Sequence, residues 1–272
     1  MNHLLVERLE NVARITLNRP QVRNAQSRRL LIDLDETLQA AAEDPEIRVI
    51  IIAGAGKDFS AGHDLGSPEE IEDRRHNPRP TSAPEEFQHL TRMNLENCLR
   101  WRDLPKPTIA QVQGNCIMGG LMLASCCDLI IASSDAVFAD RTVAWGGAHV
   151  QYFSMPWDIG ARKAKEYLFT AGSMTALEAE RLGLVNRVVE RETLEAETLA
   201  LASRIARNDP FALRMAKLSV NEFMDRQGQR QALEAAFKNY MLTIPHRKEM
   251  GTFGGSAEMT ARDRIAKNNA EK

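Results

Sequence analysis

The stretch Gln111-Val-Gln-Gly-Asn-Cys-Ile-Met-Gly-Gly-Leu-Met-Leu-Ala-Ser-Cys-Cys-Asp-Leu-Ile-Ile-Ala132 decides how this chain is read. It begins as a short apolar run after Lys106-Pro107, turns at Gly114, and reaches Gly119-Gly120 just before a helical run. The first N–H groups of a helix have no intrahelical partner. Aimed into a pocket and aided by the helix dipole, they can hold an oxyanion. A second segment, Asp58-Phe-Ser-Ala-Gly-His-Asp-Leu65, follows the strand-like run Val49-Ile-Ile-Ile-Ala53 and can supply another such donor.

Outward from these segments the pattern alternates strand and helix. Residues 4–9 and 12–17 read as two strands joined at Glu10-Asn11, with Arg19-Pro20 ending the second. Residues 27–43 carry Leu30, Leu31, Leu34 and Leu38 at helical spacing and close at Asp44-Pro45. Residues 49–53, 108–112 and 129–132 read as buried strands, residues 85–102 as an amphipathic helix and residues 119–127 as a short one. Residues 66–84, rich in Pro, Arg and acidic groups, read as an exposed loop or poorly ordered lid. From about Glu192 the pattern is helical, over 195–206, 210–223 and 230–242.

The chain of 272 residues has room for one large domain or one domain with an appendage, and its 43% hydrophobic content supplies a sizeable core. The net charge of −2 gives no support for nucleic-acid binding. The first residues lack the plan of a signal peptide, and no apolar run reaches the roughly 20 residues that span a bilayer. No membrane association and a cytoplasmic location are expected. Cys98, Cys116, Cys126 and Cys127 have neither disulfide nor zinc spacing, and three of them sit in apolar context and read as small core residues in a reducing compartment. The six histidines are scattered, so no metal site is expected, and no G-x-G-x-x-G motif suggests a dinucleotide.

Four motifs in order resemble the crotonase (enoyl-CoA hydratase/isomerase) superfamily over nearly the whole chain. Leu17-Asn-Arg-Pro20 with Asn24-Ala25 is similar to its early CoA-contacting turn. Phe59-Ser-Ala-Gly-His-Asp-Leu65 is similar to its first oxyanion segment, Cys127-Asp-Leu-Ile-Ile-Ala132 to the strand after the second, and Ala179-Glu-Arg-Leu-Gly-Leu-Val-Asn186 to a late helix-to-strand turn. The resemblance implies an α/β fold: a crotonase-like spiral of β-β-α units over residues 1–191 that binds acyl-CoA, with a C-terminal helical region over 192–272 for oligomerisation and pocket closure. It implies an oxyanion hole formed by the N–H groups of His63 and Gly119, and an acyl-CoA thioester substrate, so that coenzyme A enters with the substrate and no separate cofactor is needed. It also implies a homotrimer or dimer of trimers and a place in lipid and fatty acid metabolism.

One departure stands out. Hydratases of this family place two glutamates over the double bond, and by position these are Met122 and Thr142 here, expected to line the substrate pocket with Trp145 and Tyr152. A thioether cannot move a proton, and a threonine hydroxyl is a poor base. Three ionisable residues lie close enough in sequence to substitute: His149, Asp140 and the His63 side chain. Some relatives use an aspartate one residue beyond His149, where Val150 stands here. Each has a structural alternative: His149 as a loop residue, Asp140 as a turn acceptor, and His63 as a backbone donor alone. The family turns imply CoA contacts at Arg23, Ala25, Ala61, Asp64 and Leu65, with Arg14, Arg19 and Lys57 as weaker phosphate partners. Three functions remain open: a hydratase-like lyase with replaced acid and base, a C–C hydrolase or double-bond isomerase on the same intermediate, and a non-catalytic acyl-CoA-binding relative.

Overall fold

A computed structural model describes residues 2–251, so residues 252–272 of the expected C-terminal region lie outside the described residues. A six-stranded sheet has the order β1-β2-β3-β4-β6-β9. The antiparallel hairpin β1 (Leu4–Leu9) and β2 (Val12–Leu17) opens it, and β3 (Val49–Gly54), β4 (Thr108–Val112), β6 (Leu129–Ser133) and β9 (Arg187–Val189) follow in parallel. Strand side chains alternate between two faces. Ile50, Ile52, Ala110, Val112, Ile130 and Ala132 enter the main core with α1 (Arg28–Glu43), whereas Val49, Ile51, Ile109 and Ile131 form a second cluster with Leu194, Ala202 and Ala206 of α9 (Leu194–Ala206). Covering both faces explains why every residue of β3 is buried.

A second sheet stands on the first. β5 (Asn115–Ile117) pairs with β7 (Val137–Ala139), which pairs with β8 (Met174–Thr175). Single bridges extend it, Ser60 to Cys116 and Gln26 to His63. After each of β2, β3, β4 and β6 the chain adds one short extended piece to this second sheet before turning into helix. These are successive coils of a spiral, and the repeat lies in backbone pairing rather than residue identity.

The segment 66–84 corrects the expectation of an unpatterned loop. It contains α2 (Pro68–His76) and the start of α3 (Ala83–Leu90). Ser67 caps α2, Glu69 and Glu70 sit in its first turn, and Arg74, Arg75 and His76 in its last, all favourable to the helix dipole. Arg28 and Asp73 pair at 2.7 Å and fasten it to α1. The expected helix over 85–102 is three joined pieces: α3, a π-helical turn Thr91–Glu96, and α4 (Asn97–Arg102). Beyond α9 lie α10 (Pro210–Arg226) and α11 (Gln229–Glu249). Among the described residues no helix is long and apolar enough to cross a membrane.

Candidate active site

Two coils meet at α5 (Gly119–Ser125). On the earlier coil, the Gln26 N–H donates to the Gly62 carbonyl at 2.7 Å and the Asp64 N–H to the Gln26 carbonyl at 2.9 Å. In this parallel pairing the intervening His63 N–H faces the other way, toward α5. Gly119 leaves no room for a side chain: a Cβ there would lie 3.2 Å from the His63 nitrogen and 2.6 Å from Gln26 Oε1. Gly62 has φ +94°, and a Cβ on it would lie 2.7 Å from Met118 Cβ and 3.1 Å from the Gly119 nitrogen. The two turns therefore approach closely, and neither the His63 nor the Gly119 N–H has an acceptor among the described residues. Gln26 Nε2 donates to the Gly119 carbonyl at 3.0 Å and locks the coils together. Met118 holds φ 54° and ψ −118°, a conformation that costs a non-glycine residue about 1–3 kcal/mol. The strain sits at the peptide that aims the Gly119 N–H.

The sequence profile of the enoyl-CoA hydratase/isomerase family matches residues 7–254. The chain belongs to that family. EchA13 of Mycobacterium tuberculosis, whose name proposes an enoyl-CoA hydratase, is 42% identical over 86% of this chain and 78% of its own. A crotonyl-CoA hydratase of Syntrophomonas wolfei is 31% identical over 82% of each chain. Among solved structures, a probable enoyl-CoA hydratase from Mycobacterium smegmatis superimposes with a TM-score of 0.86 at 44% identity, covering 93% of this chain and 99% of that one. An enoyl-CoA hydratase/isomerase from Xanthobacter autotrophicus Py2 gives 0.85 at 32% identity, covering 100% and 98%. The spiral is thus the crotonase fold.

Around the two donors, Met122 and Thr142 are both buried. The Thr142 hydroxyl donates to Asp140 Oδ1 at 2.5 Å, and Asp140 also accepts the Thr142 N–H at 2.9 Å and the Val150 N–H at 2.8 Å. Asp140 therefore holds the loop from 140 to 150 closed, and both its oxygens are engaged. His149 is buried, its Nδ1 donates to the Val150 carbonyl at 2.8 Å, and its ring stacks on Phe153 with centroids 4.2 Å apart. The carbonyl partner fixes the proton on Nδ1 and leaves Nε2 as an acceptor. Desolvation holds its pKa below the usual imidazole value, against the Val150 carbonyl and the charge of Asp140. Two residues on, Gln151 reaches His63, with Oε1 3.2 Å from Nε2 of the ring. His63 keeps some accessible surface but sits deep among protein atoms, and desolvation lowers its pKa to about 4. Both imidazoles are neutral at neutral pH.

Trp145 is half-buried on the short turn Thr142–Trp145. Tyr152 lines a small, mostly apolar cavity with Leu121, Val150, Met155 and Met174, to which Ser154 and Asp158 also contribute. Desolvation pushes its phenol well above the ordinary value. On the early turn, Arg23 and Asn24 have φ 54° and 53°, and Asn24 ties that turn to the next coil by donating to the Ala55 and Asp58 carbonyls at 2.9 and 2.8 Å. The Ala61 N–H donates to the Arg23 carbonyl at 2.9 Å. Arg23, Ala25, Ala61 and Leu65 keep accessible surface on neighbouring turns. Three charged residues are committed elsewhere. Arg19, expected as a weak phosphate partner, is buried and paired with Asp64 at 2.8 Å and Glu69 at 3.1 Å. Asp64 also accepts the Ser67 hydroxyl at 2.6 Å and the Gly66 and Ser67 N–H groups, while its own N–H donates to Gln26 and its carbonyl accepts from Arg74, so its side chain and backbone are all engaged within the protein. Arg14 is likewise paired, with Glu7 and Glu195. Lys57 is exposed. The sequence reading missed Gln26 and Gln151, which brace the two donors from opposite sides.

Proposed function

We propose that this protein is an enzyme acting on acyl-CoA thioesters, in which the His63 and Gly119 N–H groups hold the thioester oxygen as it gains enolate charge. The observation that supports this reading is the close approach of the two turns, where a Cβ on Gly119 would lie 3.2 Å from the His63 nitrogen and one on Gly62 would lie 3.1 Å from the Gly119 nitrogen. Prepositioned donors of this kind stabilise developing charge because they need no reorganisation as it forms. The exposed turns at Arg23, Ala25, Ala61 and Leu65 receive the CoA portion, and the acyl group extends toward Met122, Thr142, Trp145 and Tyr152. His149 acts as the base: its Nε2 takes a proton from water or from the carbon beside the thioester, and the electron pair of that carbon flows into the carbonyl held at the hole. Asp140 keeps the His149 loop in place rather than moving protons itself. The three C-terminal helices α9, α10 and α11 supply the surface for assembly into a homotrimer or a dimer of trimers.

One observation favours a second reading. A double-bond shift needs a single base that removes a proton from one carbon and returns it to another, whereas hydration needs an acid and a base together. His149 is a single neutral acceptor, and thioether and threonine stand where relatives of the hydratase type hold carboxylates. The test is a panel of straight-chain, branched and cyclic enoyl-CoA and β-keto-CoA esters, with products identified by mass spectrometry. A gain of one water marks hydration, an isobaric product with a shifted double bond marks isomerisation, and chain cleavage marks hydrolysis. Binding without turnover across the panel marks a carrier and defeats the catalytic reading. Failure to bind any thioester defeats the site.

A further inference from the structure

A chain of side-chain hydrogen bonds runs from the candidate oxyanion hole to the C-terminal helix. His63 Nε2 lies 3.2 Å from Gln151 Oε1, and Gln151 Nε2 donates to the Tyr240 hydroxyl at 3.0 Å. Gln151 and Tyr240 are both buried. Burial raises the phenol's pKa, against the Arg247 guanidinium on the same helix, which lowers it. Arg247 packs against the loop that carries His149, since its Cδ lies 3.3 Å from where a Cβ on Gly147 would be. The direction of the chain follows from its donors. The amide nitrogen of Gln151 faces the phenol, so its carbonyl faces the ring. An imidazole nitrogen opposite a carbonyl must carry the proton.

The ring is also part of the hole's frame. His63 Cε1 lies 3.1 Å from the position of a Cβ on Gly119, so the imidazole fills the gap between the two coils. The ring therefore sits close against the Gly119 turn, and its orientation and the position of the His63 backbone are set in the same small space. We propose that Gln151 and Tyr240 are positioning residues for the oxyanion hole: Tyr240 holds Gln151, Gln151 holds the His63 ring in its Nε2–H form, and the ring keeps the His63 N–H aimed beside that of Gly119. This rests on the reading of His63 and Gly119 as the thioester-oxygen donors. It makes α11, 89 residues from Gln151 in sequence, a determinant of catalysis without touching substrate.

The test pairs NMR of nitrogen-labelled histidine on the ligand-free protein with steady-state kinetics. Tyr240→Phe removes one oxygen and leaves the ring packing of α11 intact. Gln151→Ala removes the link and leaves α11 untouched. In both, the His63 signal should change from a single Nε2–H tautomer to a mixture. kcat should fall about tenfold with KM within about twofold, as expected when a donor is misaimed rather than lost. Gln151→Glu puts a carboxylate against the ring and should move the His63 titration upward from about 4, against the opposing charges of Arg79 and Arg247 that face it. An unchanged His63 tautomer in Tyr240→Phe or Gln151→Ala overturns the proposal. So does a changed tautomer with full kcat, or a Tyr240→Phe that lowers only thermal stability. If no thioester is turned over, the amide signals of His63 and Gly119 on adding acyl-CoA decide. Shifts in the wild type that vanish in Gln151→Ala support the positioning role, and no shift in the wild type defeats the underlying reading of the site instead.

Discussion

At the scale of single residues, the proposed chemistry rests on two neutral imidazoles and one fully engaged carboxylate. His149→Ala should lower turnover roughly 10²–10⁴-fold, the usual cost of removing a general base, while the dissociation constant for the CoA ester stays nearly unchanged. The pH profile carries the sign. His149 works unprotonated and its pKa is lowered by desolvation, so activity should hold through neutral pH and fall only below the ordinary imidazole range. A profile with its acid limb above neutrality contradicts the assignment. Asp140 has a different role. Its oxygens accept from the Thr142 N–H, the Thr142 hydroxyl and the Val150 N–H. Asp140→Asn turns one acceptor into a donor facing donors and should cost about 1–3 kcal/mol of stability, read as a lower urea midpoint at unchanged slope.

At the scale of elements, α2 shows how ion pairs fix a helix that hydrophobic periodicity cannot reveal. Burial raises the Asp64 pKa, but the Ser67 hydroxyl, the Ser67 and Gly66 N–H groups and Arg19 together outweigh it and hold the carboxyl below its ordinary value. Asp73 is lowered chiefly by its hydrogen bond to Arg28. A carboxyl lowered in the folded state contributes stability that is present above its unfolded pKa, near 3.9, and is lost as pH falls through the lowered folded value. Hydrogen exchange should therefore show α2 opening before the sheet on acidification. Simultaneous opening of α2 and β3 contradicts this. The same contrast explains what the sequence made legible. The Gly62 and Gly119 turns could be found because a tight turn and a close backbone approach demand glycines at fixed places. β3 could be found because a strand buried on both faces is a continuous apolar run. α2 was misjudged because its side chains are nearly all charged, although the cap Ser67-Pro68 with Glu69-Glu70 was in plain view. Gln151 and Tyr240 left no local signal: their partners lie 88 and 89 residues away, and an ordinary glutamine and a core tyrosine look the same whether or not they meet.

At the scale of the whole molecule, α10 is the unfinished surface. This 17-residue helix buries none of its residues, and Phe211, Leu218, Val220 and Phe223 are exposed along it. A solvated monomer has no use for such an apolar run, and contiguous exposed apolar surface marks an association site. We therefore expect sedimentation to give a trimer or a multiple of it, and Phe211→Glu with Phe223→Glu to shift the protein toward smaller species. A wild-type monomer at micromolar concentration refutes this. The fold class was readable through the family resemblance, and the long buried strands and the glycine turns were readable because each follows from backbone rules, whereas the order of strands in the sheets was not. Nor was the acyl group, because pocket shape depends on side chains from 119 to 152 that meet only after folding.

The spiral also sets a clock. The hole needs Gln26, His63 and Gly119 on coils up to 93 residues apart, all joined by parallel pairings. Contacts that distant are slow to form because long loops must close before any bond rewards them. In refolding from urea, helical circular dichroism should recover first and acyl-CoA binding only in the last kinetic phase. A chain caught early would already be compact and helical yet blind to its ligand, since the site comes into being only when the winding is complete.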